Sequence, residues 1–574
     1  MRTRLVAFFL IITVIAIGQQ KANYQLASRF SPKKLDKMIF SLAVDPHWLK
    51  LSNRFWYTYE TSDGKQWYVV DPVKPEKKAM FNRDKMAAEL TKIIKDPFDG
   101  QHLPIDSLKF IKDENWIQFE VKSSIDVVKE EDKKKNEKTK KTFYFEYNLQ
   151  TEQLNELVDF KKPKRKPTWA NISPDQNMIV FGRNYNLYYM DKANYEKALK
   201  NEDDSTIVEN PLTTDGVQYY SWHSESSYGG GGETNVDIEK NKNKRKPVFG
   251  YWSEDSKKIA LVKVDNRKVK DLWVINSIAD PRPTLETYKY WMPGEKDAPV
   301  DHMMVVDIAL KQVKEIDLSQ FKDQTISIYA KNIPVNARDD DFRPNIWLGN
   351  SNELYMSRTS RDLKRIDQCI INVSTGTVKP LIEERLNTYV EVRKPGLVKN
   401  GEEIIEWSER DGWAHLYLYD KNGVVKNQIT QGPWHVEEII NIDEEKRVVY
   451  FSANGKENIN GSTKEDPYYL HLYKVNFDGT GLQLLNPGNF DHSFSMNDKK
   501  SYFVNTSSRV NTAPISTLHG SDGRKIMDLE TADLSNLFAA GYKFPETFKV
   551  KADDGITDIF GVMYKPYDFD STKK

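Results

Sequence analysis

The residues that most resemble reaction machinery lie together at Trp222-His223-Ser224-Glu225-Ser226-Ser227-Tyr228, followed by four glycines, 229–232. A serine with a histidine four residues before it suggests a nucleophile and its base. That chemistry needs the serine on a sharp turn between a buried strand and a packed helix, with an orienting carboxylate and oxyanion donors nearby. Here residues 221–226 are mostly polar, and a glycine run resists helix formation by about 1 kcal/mol per residue relative to alanine. The stretch therefore reads as an inter-strand loop, and Ser227 is not expected to be a nucleophile. The nine histidines are scattered, with no His-Glu-x-x-His and no i, i+4 pair, so zinc is not supported. Asp339-Asp340-Asp341 lacks the alternating spacing and the glycine of a calcium loop and reads as a solvated turn. No glycine-rich phosphate loop joins a strand to a helix. No cofactor is expected.

The elements around these residues are overwhelmingly strands. Arg54-Phe55-Trp56-Tyr57-Thr58-Tyr59 and Gln66-Trp67-Tyr68-Val69-Val70 alternate apolar and polar positions across Ser62-Asp63-Gly64, which predicts a hairpin. Comparable pairs recur near 116–147, 169–191, 248–308, 346–358, 403–420, 447–475 and 501–504, which makes eight units of irregular spacing. In the 248–308 unit, strands are expected at 258–262, 271–275 and 303–308. The prolines at 281, 283, 293 and 299 predict an extended, non-helical crossing between the last two. The chain is thus expected to be all-β, a β-propeller of eight irregular four-stranded blades. Helices are predicted only at a Ser31-Pro32 start, over 82–95 and over 531–540, where Leu534, Leu537 and Phe538 share a face. A hairpin is expected over 547–566. The mixed charge run 129–141 reads as a solvated hairpin tip.

Several of these stretches carry a family resemblance. Trp252-Ser253-Glu254-Asp255-Ser256-Lys257-Lys258, Pro281-Arg282-Pro283-Thr284-Leu285 and Met292-Pro293-Gly294-Glu295 resemble the N-terminal propeller of dipeptidyl peptidase IV-like serine peptidases, in the prolyl oligopeptidase family. So do Ser357-Arg358-Thr359-Ser360-Arg361-Asp362, Trp407-Ser408-Glu409-Arg410-Asp411-Gly412 and Asp491-His492-Ser493-Phe494. Beyond a signal peptide at 1–18, which the leading residues themselves suggest, the resemblance implies a propeller at 19–545 and at 546–574 the opening hairpin of an α/β-hydrolase domain. The chain would then stop before its catalytic part. It also implies a propeller that gates and binds peptide substrates, with a homodimer as an allowed assembly. In that family two adjacent glutamates hold the substrate's free amino terminus; the equivalent segment here offers only Glu225. Arg393 lies a few residues from a family arginine that faces substrate. Glu225 and Arg393 are accordingly the candidate substrate-binding residues, with no catalytic and no metal residue. The alternative reading is a free-standing periplasmic or surface propeller that serves only as a binding module.

Composition is compatible with both. Lys+Arg and Asp+Glu are each 84, which disfavours nucleic-acid binding. Met1-Arg2-Thr3-Arg4 precedes an apolar run from Leu5 to Gly18, too short for a membrane span of about 20 residues and suited to a cleaved leader. No stable membrane span is expected, and the destination is periplasmic or extracellular. Cys369 is the lone cysteine, so no disulfide can form within the chain and a buried apolar role is expected.

Overall fold

The computed structural model describes residues 24–128, 138–162, 165–223, 234–333, 344–461 and 465–565, with 569 and 572. The leader, Glu225, Ser227, most of the charge run and Asp339–341 lie outside these residues. The chain is mostly β. Among the described residues eight sheets have four or more strands, nearly all of their pairings antiparallel, and two further sheets have two strands. No helix among them is long and apolar enough to cross a membrane.

The chain divides into two compact units, one made of Met1–Leu157 with Phe490–Lys574 and the other of Val158–Asn489. In the first unit the leading sheet contains Phe55–Thr61 and Gly64–Asp71, paired Phe55 to Val70 and Tyr57 to Tyr68. Phe55, Tyr57 and Tyr59 alternate onto one buried face, as a period of two requires. That face packs with Val504, Leu518 and Leu529, which belong to the last four-stranded sheet more than 400 residues away. Polar contacts seal the join. Tyr57 donates its hydroxyl to Glu530 at 2.7 Å, Lys77 Nζ reaches the same oxygen at 2.5 Å, and Ser62 donates to Asp533 at 2.6 Å. Helix Arg83–Ile94 fills the other side of the leading sheet and packs Met86 and Leu90 with Phe119 and Phe145 of the second sheet. Its Asn82 cap accepts the Lys85 amide at 3.0 Å, and Lys95 ends it in the left-handed region.

The second unit holds the remaining five large sheets. Three of its turns repeat one device: Ser173, Ser253 and Ser360 each donate to the aspartate two residues on and accept the amide five residues on. The fourth residue of each turn, Gln176, Ser256 or Leu363, takes positive φ. The turns also tie neighbouring sheets. Asp175 donates its amide to Ser256 Oγ at 3.0 Å, and Asp255 does the same to Ser351 at 3.1 Å. This is why serine and aspartate recur at that spacing before each strand.

The structure departs from the sequence-based expectation in three places. Asp271–Asn276 is no strand of the large fourth sheet. It pairs instead with Thr284–Lys289, inside the stretch expected to be a bare crossing, as a separate two-stranded ribbon. Lys258–Asp265 pairs directly with Val300–Asp307 over eight residues, leaving the ribbon as an insertion between them. The last helix is only Ser535–Ala539, because Thr531 finishes the preceding strand, and Phe538 is half-exposed while Leu534 and Leu537 are buried. The charge run is shortened from its far side: strand Lys138–Asn148 already includes Lys138, Lys140 and Lys141.

The 547–566 hairpin forms as expected, from Glu546–Lys551 and Asp558–Met563. It is a two-stranded sheet with every residue of its first strand exposed, Val550 by 50%. An isolated two-stranded hairpin is marginal in water, so it is the segment expected to open most readily. In a hydrogen-exchange measurement on monomeric protein, amides of 546–563 should exchange at least tenfold faster than those of Val448–Asn454, a buried central strand. Equal protection would show that the hairpin is stabilised by contacts other than those described.

Candidate peptide-binding site

Arg393 stands in the connection leading into strand Gly396–Val398 of the sixth sheet. Two glutamates from different parts of the second unit converge on its Nη2: Glu391 at 2.7 Å and Glu437 at 3.4 Å. The guanidinium lies over the Trp407 ring, 5.0 Å from its centroid. Trp407 is fixed by donating its Nε1–H to the Val436 carbonyl at 2.7 Å, and His435 meets its ring edge-on. His435 Nε2 is in turn 3.3 Å from Glu437. The cluster is partly open to solvent: the Arg393 side chain is 26% exposed and that of Glu437 42%. Two carboxylates against one guanidinium leave a surplus negative charge. Sequence reasoning found Arg393 but neither glutamate partner: Glu391 stands two residues before it, and Glu437 reaches it only across adjacent sheets.

A buried polar layer supports this cluster from below. Gln368, on strand Arg365–Asn372, donates to the Arg393 carbonyl at 3.4 Å and to Glu406 Oε1 at 2.9 Å. Its own carbonyl oxygen accepts the hydroxyl of Tyr329. Glu406 is only 3% exposed, and its second oxygen has no partner among the described residues. Burial, with Glu384 adding to it, pushes the Glu406 carboxyl up to about 8 against the pull of the Gln368 bond. Nearby, Arg410 pairs with Glu384, and Arg358 and Arg385 share Asp367 at 2.7 and 2.5 Å. Cys369 is buried on the same strand, and burial pushes its thiol up to about 12.

The second candidate, Glu225, lies outside the described residues, but the limb leading towards it is anchored. Lys263, 1% exposed, donates to Asp215 at 2.7 Å and sits 3.5 Å from the Tyr220 ring centroid and 4.3 Å from that of Trp222. Asp215 also accepts the Trp222 indole N–H at 2.6 Å. An ammonium enclosed by a carboxylate and two aromatic faces is a strong local brace. Among the described residues no group of three or more histidine, cysteine or acidic side chains is placed to hold a metal ion.

Glu406 supplies a pH test. A carboxyl whose folded value lies above its unfolded value of about 4.3 holds its proton in the native state while the unfolded chain has released it. Stability is therefore highest below pH 4.3 or so and falls as pH rises towards 8. In Glu406→Gln this contribution disappears. The thermal midpoint should then drop less between pH 5 and pH 8 than in the parent, by several degrees. Parallel pH profiles would show that Glu406 titrates normally.

Comparisons with known proteins agree with this architecture. The profile of the dipeptidyl peptidase IV N-terminal region matches residues 248–514. A dipeptidyl peptidase 4 of Arthroderma otae is 26% identical over 262 residues, covering 42% of this chain and 32% of that protein. A dipeptidyl-aminopeptidase B of Aspergillus niger is 24% identical over 383 residues, covering 62% of this chain and 37% of that protein. The match thus spans about a third of the length of these curated relatives. The crystal structure of Porphyromonas gingivalis dipeptidyl peptidase 4 superposes with a TM-score of 0.56 at 18% identity, covering 96% of this chain and 68% of that one. Residues 248–514 therefore form a region of the dipeptidyl peptidase IV N-terminal type.

Proposed function

We propose that this chain is the peptide-binding, substrate-gating β-propeller portion of an exported dipeptidyl-peptidase-like serine peptidase, and that it supplies no catalytic residue itself. The profile match over 248–514 carries this reading. The eight large sheets support it as the blades, and the core shared by the first and last of them supports a noncovalent closure of the ring. The basic start and short apolar run of the sequence favour export.

In this reading the Arg393 cluster receives the amino terminus of a peptide. Glu391 and Glu437 together outweigh the one guanidinium, so an incoming ammonium finds net attraction and two acceptors. Trp407 offers an apolar face beside them. Glu225 would add a further carboxylate. This arrangement would replace the adjacent glutamate pair with two acids distant in sequence.

The test uses Ala-Pro-Ala amide, which has an ammonium and no carboxylate. The purified chain should bind it by calorimetry without cleaving Ala-Pro or Gly-Pro anilides. N-acetylation of the peptide should abolish binding, and Glu437→Gln should weaken it about tenfold. Anilide turnover together with fluorophosphonate labelling of Ser227 would overturn the non-catalytic assignment. Unchanged affinity after acetylation would overturn the role of the cluster.

A further inference from the structure

A cavity of about 910 Å³ opens beside the third sheet within the second unit. It is separate from the Arg393 cluster and shares no lining residue with it. Its floor is Trp169, 6% exposed, which donates its indole N–H to Glu202 at 3.1 Å. Arg245 stacks over that ring at 5.1 Å from the centroid and binds Glu209 at 2.7 Å. Arg183 binds the other oxygen of the same glutamate. At this part of the wall Arg183, Arg245 and Lys244 stand against the carboxylates of Glu209 and Glu202, three positive charges to two. The Arg183 side chain, 42% exposed, has donors to spare.

Elsewhere on the lining, the loop after helix Lys192–Lys200 brings Asp203 and Asp204. Neither forms an ion pair among the described residues. The Thr206 amide, at 2.8 Å, holds the Asp204 carboxyl below its usual range and so keeps it charged. Tyr188 and Ile207 add apolar wall. The cavity therefore offers unspent charge of both signs together with apolar surface. A purely anionic ligand is repelled by the aspartates, and a purely cationic one by the arginines. A ligand carrying both charges, joined by an apolar body, satisfies all three features.

We propose that this cavity binds the zwitterion of a short free peptide. Its carboxylate is taken by Arg183, whose planar fork suits two-point binding of a carboxylate. Its ammonium is taken by Asp203 and Asp204, and its side chains lie against Tyr188 and Ile207. The volume falls in the range of small-ligand sites, roughly 300–1,000 Å³. The inference does not rest on the role given to the Arg393 cluster, because it requires both peptide termini to be free and that cluster requires only the amino end.

The probe is the dipeptide Ala-Leu, compared with its N-acetyl and C-amide forms by calorimetry and ligand-observed NMR. Saturable binding of Ala-Leu is expected, at least tenfold weaker for either blocked form. Arg183→Gln should weaken Ala-Leu at least tenfold and leave its amide unaffected. The double variant Asp203→Asn with Asp204→Asn, on an exposed loop, should weaken it similarly and remains informative if the arginine variant misfolds. In Glu437→Gln, which weakens the amino-end cluster, the binding component that needs both termini free and responds to Arg183→Gln should persist. Absence of saturable binding, insensitivity to both cavity variants, or loss of binding only in Glu437→Gln would each overturn the proposal.

Discussion

A single carboxylate, that of Glu530, accepts both the Tyr57 hydroxyl and the Lys77 ammonium, and around it the two ends of the chain share one apolar core. Burial and the neighbouring Glu530 charge keep the Tyr57 phenol well above its ordinary value, so it remains a donor. The ion pair is only partly exposed, 21% for Lys77 and 14% for Glu530, and loss of either member would leave the other poorly solvated. Most of the stabilisation nevertheless comes from Phe55, Tyr57, Val70, Leu518 and Leu529, whose apolar area is removed from water together. With a single cysteine the chain has no internal disulfide with which to fasten its ends.

The candidate sites depend on the same economy of few, well-supported polar groups. Arg393 is not held by its own strand; it rests on Trp407, is bridged to Glu437, and has its carbonyl tied to Gln368. The Gln368 amide links the backbone of the cluster to the buried Glu406. Lys263 shows the same principle with opposite charge, its ammonium enclosed by Asp215, Tyr220 and Trp222.

Strand positions were largely legible in the sequence because a half-buried strand must alternate. The Phe55, Tyr57, Tyr59 series is a direct reading of that rule, and the 83–94 helix follows from the separate 3.6-residue period of Met86, Leu90 and Ile94. The Ser-x-Asp turns were visible as a motif, and the structure supplies their cause in three repeated hydrogen-bond sets. The 271–289 ribbon was misread because its strands carry exposed apolar residues, Trp273 and Ile275 at 72% and 70%, so alternation and proline content gave no sign of pairing. The glutamates around Arg393 were invisible for another reason. Glu437 reaches the guanidinium only because neighbouring sheets stack, which no local pattern records, and nothing in the sequence marks Glu391, two residues away, as its second partner. Cys369 needed only its apolar strand context to be placed.

The division of the first unit between distant stretches of sequence also sets an order of assembly. Residues 158–489 form a continuous stretch, and their sheets close on partners made much nearer in sequence, the widest pairing being Trp252 with Ile346. The leading sheet has no such option. The face carrying Phe55 and Tyr57 must wait for Leu518 and Leu529, an interval on the order of a minute at typical rates of chain synthesis. During that time an aromatic strand surface stands uncovered, and closing the join means bringing together segments separated by nearly the whole chain, the slowest kind of contact to form. A protein built this way acquires its last sheet and its first core in the same event.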